Sequence, residues 1–342
     1  MASKIKIKHS QMTQMETWLG SLATQVEEAI ALGKIFSSHH SFKSIRKVLF
    51  YGMGGSAIGG DVLRAIMADR SSVLFNVYRQ GRWSRWIDSE TLVIFSSYSG
   101  NTGEILDVFK QAVKSKAQLL VLTAGGKLQE LARENQVPCL RIPGGMPPRC
   151  ALGFLTFSLL PVLQKVGGFK ISSAEINEVL SVLRKAPRGT IRAMAKKLSG
   201  KLIHIYCASG FTQSAAIRWR AEIAENAKML ASHHLLPEMF HNEIEGWVHP
   251  AWAIQKSVAV FLTDRDDPKD LKGKIQSAMR ILKRQGGHAL VLSSQGSSRL
   301  ARLFYLISFG DWISYELALL NDVDPVAIDA IASLKKGTSS SR

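Results

Sequence analysis

The chain has 342 residues, and at roughly 150 residues per domain this length predicts about two domains. Apolar residues make up 46% and charged residues 21% of the chain, which excludes a disordered, collagenous or coiled-coil protein. The formal charge is +17, but the lysines and arginines are spread along the chain without a helix-turn-helix, RNP or zinc-finger pattern. The charge therefore predicts capture of a phosphorylated metabolite, with no nucleic acid and no membrane as partner.

Residues 1–46 predict a helical segment, because apolar residues recur there at helical spacing. No apolar run reaches the roughly 20 residues that cross a bilayer, since the longest, 154–163, is short and contains Pro161. The basic N-terminus leads into polar residues and lacks a secretory core. The three cysteines (Cys139, Cys150 and Cys207) are widely spaced and form no CxxC, which predicts reduced thiols in a cytoplasmic protein without a zinc site.

Alternating strands and helices follow in two blocks. The first block predicts strands at 48–51, 73–78, 91–96, 118–122 and 139–142, with helices at 58–68, 102–113, 128–134 and 151–166. After Gly167 and Gly168, helices at 173–183 and 189–198 lead to the second block. It has strands at 202–207, 257–262 and 289–292 and helices at 212–228, 271–284 and 300–320. Continuous apolar strands between helices indicate parallel sheets covered on both faces. The chain is thus expected to be an α/β pseudo-repeat of two doubly wound domains.

The first turn that indicates chemistry is Gly-Met-Gly-Gly-Ser-Ala-Ile-Gly-Gly-Asp at 52–61, between a strand and a helix. Its glycines allow backbone N–H groups to approach an anion at the helix N-terminus. The pattern is close to GxGxxG, but an acidic residue about 20 residues further on and a Walker lysine are both missing. A tight turn without a ligand is an equally good interpretation of this segment alone.

The second such turn is Ser-Ser-Tyr-Ser-Gly-Asn-Thr at 96–102, which follows a strand and begins a helix. Hydroxyls and backbone amides at the carboxyl end of a strand suit a dianionic phosphate monoester. A helix N-cap is the alternative, but a cap requires only one such residue. Ser97, Ser99 and Thr102 together therefore favour a phosphate site.

These motifs resemble a known family. Ser-Tyr-Ser-Gly-Asn-Thr is a hallmark of sugar isomerase (SIS) domains, which bind phosphosugars. Arg-Ala-Glu-Ile-Ala-Glu-Asn-Ala-Lys at 220–228, followed by Pro-Glu-Met-Phe-His-Asn-Glu-Ile-Glu-Gly at 237–246, resembles the bifunctional phosphoglucose/phosphomannose isomerase family. The resemblance covers residues 48–335. It implies two flavodoxin-like SIS domains in tandem, at 47–168 and 201–322, joined by a helical connection at 169–200 and followed by a C-terminal segment at 323–342 with a frayed tail.

The resemblance also implies roles for individual residues. Phosphate binding falls to Ser56, Ser97, Ser99 and Thr102, with Gly54 and Gly55 lining the cleft. Glu225 is the expected base, Arg149 lies near the reacting carbons, and His241 assists ring opening from the partner subunit of a homodimer. Lys335, or less favourably Lys336, joins His241. The expected reaction converts glucose 6-phosphate, and also mannose 6-phosphate, to fructose 6-phosphate through a cis-enediolate in glycolysis or gluconeogenesis. No metal and no cofactor is expected.

Several alternatives stay open. Glu222, one turn before Glu225, competes for the role of base, and Glu225 itself could be a surface acid paired with a neighbouring cation. Ala224 stands where the family often has Asn, and Asp-Pro-Val-Ala at 324–327 replaces its common Asp-Pro-Thr-Pro, which bears on the choice between epimers. The alternative functions are an aminosugar-phosphate isomerase and a non-catalytic phosphosugar sensor.

Overall fold

Two helices precede the first strand in the computed structural model, which describes residues 9–339 and the side chains of residues 11–334. They are α1 (His9–Gly20) and α2 (Leu22–His39), so the predicted helical segment ends before residue 40, and its residues 1–8 lie outside the described part. Met15 and Val26 of these helices are fully buried in the main core. The helical spacing of the sequence therefore marks the face that packs on the first domain.

The first domain is built on a five-stranded parallel sheet with the order β2-β1-β3-β4-β5. Its strands are β1 (Lys47–Gly52), β2 (Leu74–Tyr78), β3 (Thr91–Ser96), β4 (Gln118–Thr123) and β5 (Cys139–Arg141). The helices between them are α3 (Gly54–Met67), α4 (Gly103–Ala112) and α5 (Gly126–Glu134). This order is that of flavodoxin-like folds, in which ligands bind where neighbouring strands lead to helices on opposite faces. The predicted fold class is confirmed.

The predicted single helix at 151–166 is wrong, because the structure has two helices there. A 3₁₀ turn (Pro148–Cys150) leads into α6 (Leu152–Phe157), and α7 (Leu160–Gly167) follows after a break. Pro161 lies in the first turn of α7. Proline has no N–H to donate to the preceding turn, so a continuous helix loses a hydrogen bond there, whereas the first turn of a new helix does not.

The second domain has a four-stranded parallel sheet with the order β7-β6-β8-β9. Two helices, α8 (Ser173–Arg184) and α9 (Arg188–Leu198), connect the domains. Then come β6 (Leu202–Ala208), α10 (Gln213–Ala227), β7 (Ala231–Leu236), α11 (Ala251–Gln255), β8 (Ser257–Thr263), α12 (Leu271–Arg284), β9 (His288–Ser293), α13 (Arg299–Leu320) and α14 (Asp329–Ser339). The exact domain boundaries remain a prediction.

Strand β7 was not among the predicted elements. Its sequence, Ala-Ser-His-His-Leu-Leu, has no β-branched residue and no alternation of apolar and polar side chains. It pairs in parallel with β6 on one side only, as the outer strand of the sheet, and most of its residues are half-buried. This segment is therefore a strand because it pairs with β6, and not because its residues favour extended backbone.

Helix α13 is the central helix of the molecule and packs against α8, α9 and α10. By length and composition it is the one described helix that could cross a membrane, but 89% of its most apolar window is buried inside the protein. Its buried charges are paired: Arg302 with Asp264, and Asp311 with Arg218. The helix is therefore a core element with internal ion pairs.

Candidate active site

The site lies at the carboxyl ends of β1 and β3, which are neighbours in the first sheet. Gly52, the last residue of β1, is in register with Ser96, the last residue of β3. The turn after β1 begins α3, and the turn after β3 leads into α4. Both motifs selected from the sequence therefore face the same crevice, at the point where this fold class binds ligands.

The predicted hydroxyl residues form one cradle. Ser56 and Ser97 are buried, and the Ser56 Oγ accepts a hydrogen bond from the Tyr98 backbone N–H at 3.1 Å, which joins the two turns. The Ser97 Oγ and Thr102 Oγ1 are 2.9 Å apart. Ser99 is exposed in the same turn, where its Oγ accepts from the Asn101 N–H at 3.3 Å. A hydroxyl that accepts keeps its own proton to donate, so the cradle can offer O–H groups to an anion.

Two glycines, Gly54 and Gly55, lie in the first turn of α3. Gly54 begins α3 with φ +51°, in the left-handed region that favours glycine. A Cβ on Gly55 would lie 2.8 Å from the Arg149 backbone N and 2.9 Å from the Pro148 carbonyl carbon. Only a glycine lets the first turn of α3 approach the 3₁₀ turn so closely. This contact fixes Arg149 relative to the hydroxyl cradle.

Arg149 is 4% exposed and makes hydrogen bonds to four other residues of the site. Its Nε donates to Asn226 Oδ1 at 2.7 Å and its Nη1 to Glu225 Oε2 at 3.2 Å. Its Nη2 donates to the carbonyls of Pro325 at 2.7 Å and Val326 at 3.2 Å. The rigid guanidinium fork thus meets the end of α10 and the segment after α13 at once. It is a fixed cation in a buried position.

Glu225 lies in the last turn of α10, with its side chain 28% exposed. Oε2 accepts from Arg149, and the side chain as a whole remains partly exposed. Lys228 ends the helix in a left-handed conformation, and its Nζ donates to the carbonyls of Glu225 and Ala327, the latter at 2.8 Å. Burial, and then the charge of Arg149, lower the pKa of Lys228. A carboxylate beside a fixed cation is an arrangement suited to proton transfer next to a developing oxyanion.

Glu222, the competing acid, is in a different environment. It is 2% exposed, its Oε1 lies 3.1 Å from Arg218 Nη1, and its Oε2 accepts from Asn226 Nδ2 at 3.0 Å. Arg218 also binds Asp311 through two hydrogen bonds, at 2.7 and 3.0 Å. Burial raises the pKa of Glu222. Both of its carboxylate oxygens are paired inside the protein. Glu222 therefore holds Arg218 and Asn226 in place, and Asn226 in turn contacts Arg149.

Two residues were predicted to open the sugar ring, His241 and Lys335. His241 ends a 3₁₀ turn (Glu238–His241) and is exposed. Among the described residues, no hydrogen bond or ion pair joins it to Glu225 or Arg149 of its own chain. Lys335 belongs to α14, but its side chain and that of Lys336 lie outside the described part.

Sequence reasoning assigned no role to three further parts of the centre. They are the Asn226 amide and the carbonyls of Pro325 and Val326, which all accept from Arg149. Asn226 belongs to the motif at 220–228, and this was the signal that could have identified it. Pro325 and Val326 belong to the segment 324–327, where only the side chains were compared with the family pattern. Backbone acceptors carry no side-chain signature, so the sequence offers no means of identifying them.

Comparisons with known proteins give matches for both domains of the chain. A SIS domain model matches residues 41–156, and a model of the bacterial phospho-glucose isomerase C-terminal SIS domain matches residues 189–337. A bifunctional phosphoglucose/phosphomannose isomerase from Caldicellulosiruptor bescii is 35% identical over 92% of this chain and 96% of that protein. One from Aquifex aeolicus is 33% identical over 84% and 89%. A solved hypothetical protein from Thermus thermophilus shares the fold, with a TM-score of 0.75 at 16% identity over 95% and 90% of the two chains.

Proposed function

The chain belongs to the bifunctional phosphoglucose/phosphomannose isomerase family, and we propose that the crevice around Arg149 is its active site, with Glu225 as the base. The enzyme interconverts glucose 6-phosphate and mannose 6-phosphate with fructose 6-phosphate. The observation that carries the assignment is the contact between a buried arginine and a partly exposed glutamate beside a cradle of hydroxyls. Its three unpaired cysteines favour a cytoplasmic location.

The hydroxyl cradle binds the phosphate of the substrate. Ser56, Ser97, Ser99 and Thr102 supply O–H donors, and the turns around Gly54 and Gly55 give the phosphate room to approach the backbone. Neutral donors bind the anion without a permanent counter-charge in the pocket. The sugar carbons then extend toward Arg149, whose 3₁₀ turn touches α3 at Gly55.

Proton transfer uses Glu225 and Arg149. The Glu225 carboxylate removes the proton from C2 of the open-chain aldose, and the C1 carbonyl oxygen gains the negative charge of a cis-enediolate. The same group returns the proton to C1 while the O2 hydroxyl passes its proton to O1, so that O2 becomes the ketose carbonyl and O1 becomes a hydroxyl. Arg149 stabilises the charge on the two oxygens because its position is fixed before the reaction begins. The acid formed on Glu225 stays beside the substrate because the other carboxylate oxygen holds to Arg149.

Ring opening precedes this step and needs a second set of groups. The C1–O5 bond breaks, a proton passes to O5, and the O1 hydroxyl loses its proton to form the C1 carbonyl. His241 and Lys335 perform these transfers, with His241 supplied by the partner subunit of a homodimer. The exposure of His241 in its own chain supports that arrangement, since an exposed histidine is available to a neighbouring subunit.

The segment after α13 bears on the choice between epimers. Val326 and Ala327 replace the Thr-Pro common in the family, so a hydroxyl is lost close to the Arg149 guanidinium. The Val326 carbonyl still accepts from Arg149, and thus the backbone part of the site is retained. The substitution therefore changes the relative rates with glucose and mannose 6-phosphates while the isomerase chemistry remains.

The decisive experiment replaces Glu225 by Gln. Turnover of both aldose 6-phosphates should fall by about 10²–10⁴-fold, the usual contribution of a positioned base, while fructose 6-phosphate binding stays within a few-fold. Glu134→Gln, an exposed acid at the end of α5, is the matched control and should behave like the unmodified enzyme. Turnover by Glu225→Gln within a few-fold of the parent rules out this base. A parent protein that binds hexose phosphates without turning them over would instead be the sensor considered above.

A further inference from the structure

The segment that carries His241 is anchored on both sides, although His241 itself is exposed. Met239 is 1% exposed and Trp247 is 4% exposed, and both pack in the core of the second domain with Leu236. Between them the chain makes two short 3₁₀ turns, Glu238–His241 and Glu243–Gly246. Met239 and Trp247 fix the two ends of this segment by apolar packing. The orientation of the residues between them therefore depends on polar contacts.

Glu243 makes those contacts with both of its carboxylate oxygens. Tyr206 Oη, on β6, donates to Glu243 Oε1 at 2.6 Å. His234 Nδ1, on β7, lies 2.9 Å from Glu243 Oε2 and donates to it, since a carboxylate only accepts. Trp247 Nε1 donates to Tyr206 Oη at 3.1 Å, and the rings of Tyr206 and His234 stack at 5.3 Å. We call Tyr206, His234 and Glu243 the carboxylate clamp.

Asn242, between His241 and Glu243, is also held by hydrogen bonds. Asn242 Oδ1 accepts from the Glu243 N–H at 2.5 Å, and Asn242 Nδ2 donates to Glu238 Oε1 at 2.7 Å. His241 is thus two residues from a side chain that is tied to two strands. This short connection transmits the position of Glu243 to His241 through the backbone.

Glu243 remains an ionised acceptor and Tyr206 a protonated donor near neutral pH. Burial raises the pKa of Glu243, but its hydrogen bonds with His234 and Tyr206 outweigh this, and the pKa lies below its ordinary value. Burial and the neighbouring Glu243 raise the pKa of Tyr206, which therefore remains a donor. Charge-assisted hydrogen bonds of this kind are stronger than neutral ones.

We propose that Glu243 is a positioning residue which, through Tyr206 and His234, fixes the orientation in which His241 projects from its subunit. This inference rests on the proposed ring-opening role of His241. A residue that acts in another subunit depends on a rigid mount, because a misplacement of about 1 Å can reduce a rate about 100-fold. His234 and Tyr206 provide that mount from the two adjacent strands β7 and β6.

The test isolates ring opening from isomerisation. In a Glu225→Gln background no enediolate forms, and ring opening is read as the enzyme's acceleration of α/β anomer exchange of glucose 6-phosphate, measured by NMR. Adding Glu243→Ala should reduce that acceleration about 100-fold, with binding of fructose 6-phosphate unchanged. Adding Glu245→Ala, an exposed acid of the same 3₁₀ turn, is the matched control and should leave it intact. In the Glu225-containing enzyme, Glu243→Ala should lower kcat and leave KM within about threefold.

The outcomes separate the two hypotheses. If Glu225→Gln does not accelerate anomer exchange, or if adding His241→Asn leaves the acceleration unchanged, the ring-opening role in the proposed function is wrong. If His241→Asn abolishes the acceleration and Glu243→Ala retains it, the positioning inference is wrong. Should Glu243→Ala fail to fold, Tyr206→Phe removes only the hydroxyl of the clamp. It should then cause a smaller loss of the same kind, and full retention would overturn the inference.

Discussion

At the scale of the residue, the two acids of α10 show how position alone assigns a role. Glu222 and Glu225 are separated by less than one helical turn, yet Glu222 is enclosed by Arg218 and Asn226 whereas Glu225 has an open side. The sequence could name both candidates but not choose between them without the family resemblance. Burial depends on α13 and on the turn of Arg149, which are distant in the chain. The catalytic roles themselves remain proposals.

A prediction at this scale concerns Gly55. An alanine there would place a Cβ 2.8 Å from the Arg149 backbone N, so either α3 or the 3₁₀ turn must shift. We expect Gly55→Ala to lower stability by about 1–3 kcal/mol and kcat by about tenfold or more, because Arg149 moves relative to the cradle. Melting temperature and steady-state kinetics measure the two effects. Gly103→Ala, which has no neighbour within 4 Å, should leave both unchanged; equal behaviour of the two variants contradicts the prediction.

At the scale of the element, the sequence predicts what local pattern determines. Apolar patterns identified all five strands of the first sheet, three of the four strands of the second, and the main helices. The signal is clearest for the central strands β1, β3 and β8, because burial on both faces requires continuous apolar runs. Strand β7 was missed because its half-buried position tolerates Ala-Ser-His-His. The break before Pro161 was missed because the surrounding residues are mostly apolar and suggest one continuous helix. The two motifs were placed correctly at the ends of strands, while their phosphate-binding role remains a proposal. The carbonyls that hold Arg149 had no local signal.

A prediction at this scale concerns the loop after β8, which is joined to α13 by a buried ion pair. Arg302 donates to Asp264 at 2.8 and 3.1 Å. Burial raises the pKa of Asp264, but the bonds from Arg302 and Ser294 outweigh this and hold the pKa below its usual value. Its contribution to stability is therefore present above the unfolded pKa of about 3.9 and is lost as the pH falls through the lower folded value.

We accordingly expect Asp264→Asn to lower the free energy of unfolding by about 3 kcal/mol at pH 7, since it leaves a buried arginine without its main partner. The difference from the parent should shrink as the pH falls below about 4. Urea unfolding at several pH values measures it. Asp270→Asn, an exposed acid at the start of α12, is the control and should have little effect. A gap that is the same at pH 7 and at pH 3 would show that the charge of Asp264 is not the cause.

At the scale of the whole molecule, the proposed dimer makes each active site a product of two chains. The Glu225 and Arg149 centre is complete within one chain, while His241 is exposed elsewhere on it. Two inactive variants can therefore complement each other in a mixed dimer. One of its two sites then combines an intact Glu225 with an intact His241 from the partner subunit.

We expect Glu225→Gln and His241→Asn proteins, each nearly inactive, to recover activity when they are unfolded, mixed in equal amounts and refolded together. Random pairing makes half of the dimers mixed, and half of their sites are intact, so about a quarter of the parent activity should return. Each variant refolded alone is the control and should stay inactive. No recovery in the mixture, with mixed dimers verified by a tag on one variant, would place His241 and Glu225 in the same chain's site.

The contacts of Arg149 also determine when the site comes into existence during synthesis. Its guanidinium requires Asn226, 77 residues later in the chain, and then the carbonyls of Pro325 and Val326, 176 and 177 residues later. A nascent chain whose first sheet has already folded still lacks these acceptors, and so does any product that terminates before residue 325. Such a chain has the proposed phosphate cradle but lacks the contacts that complete the proposed proton-transfer centre. The proposed centre therefore cannot assemble until residues 325 and 326 have been translated.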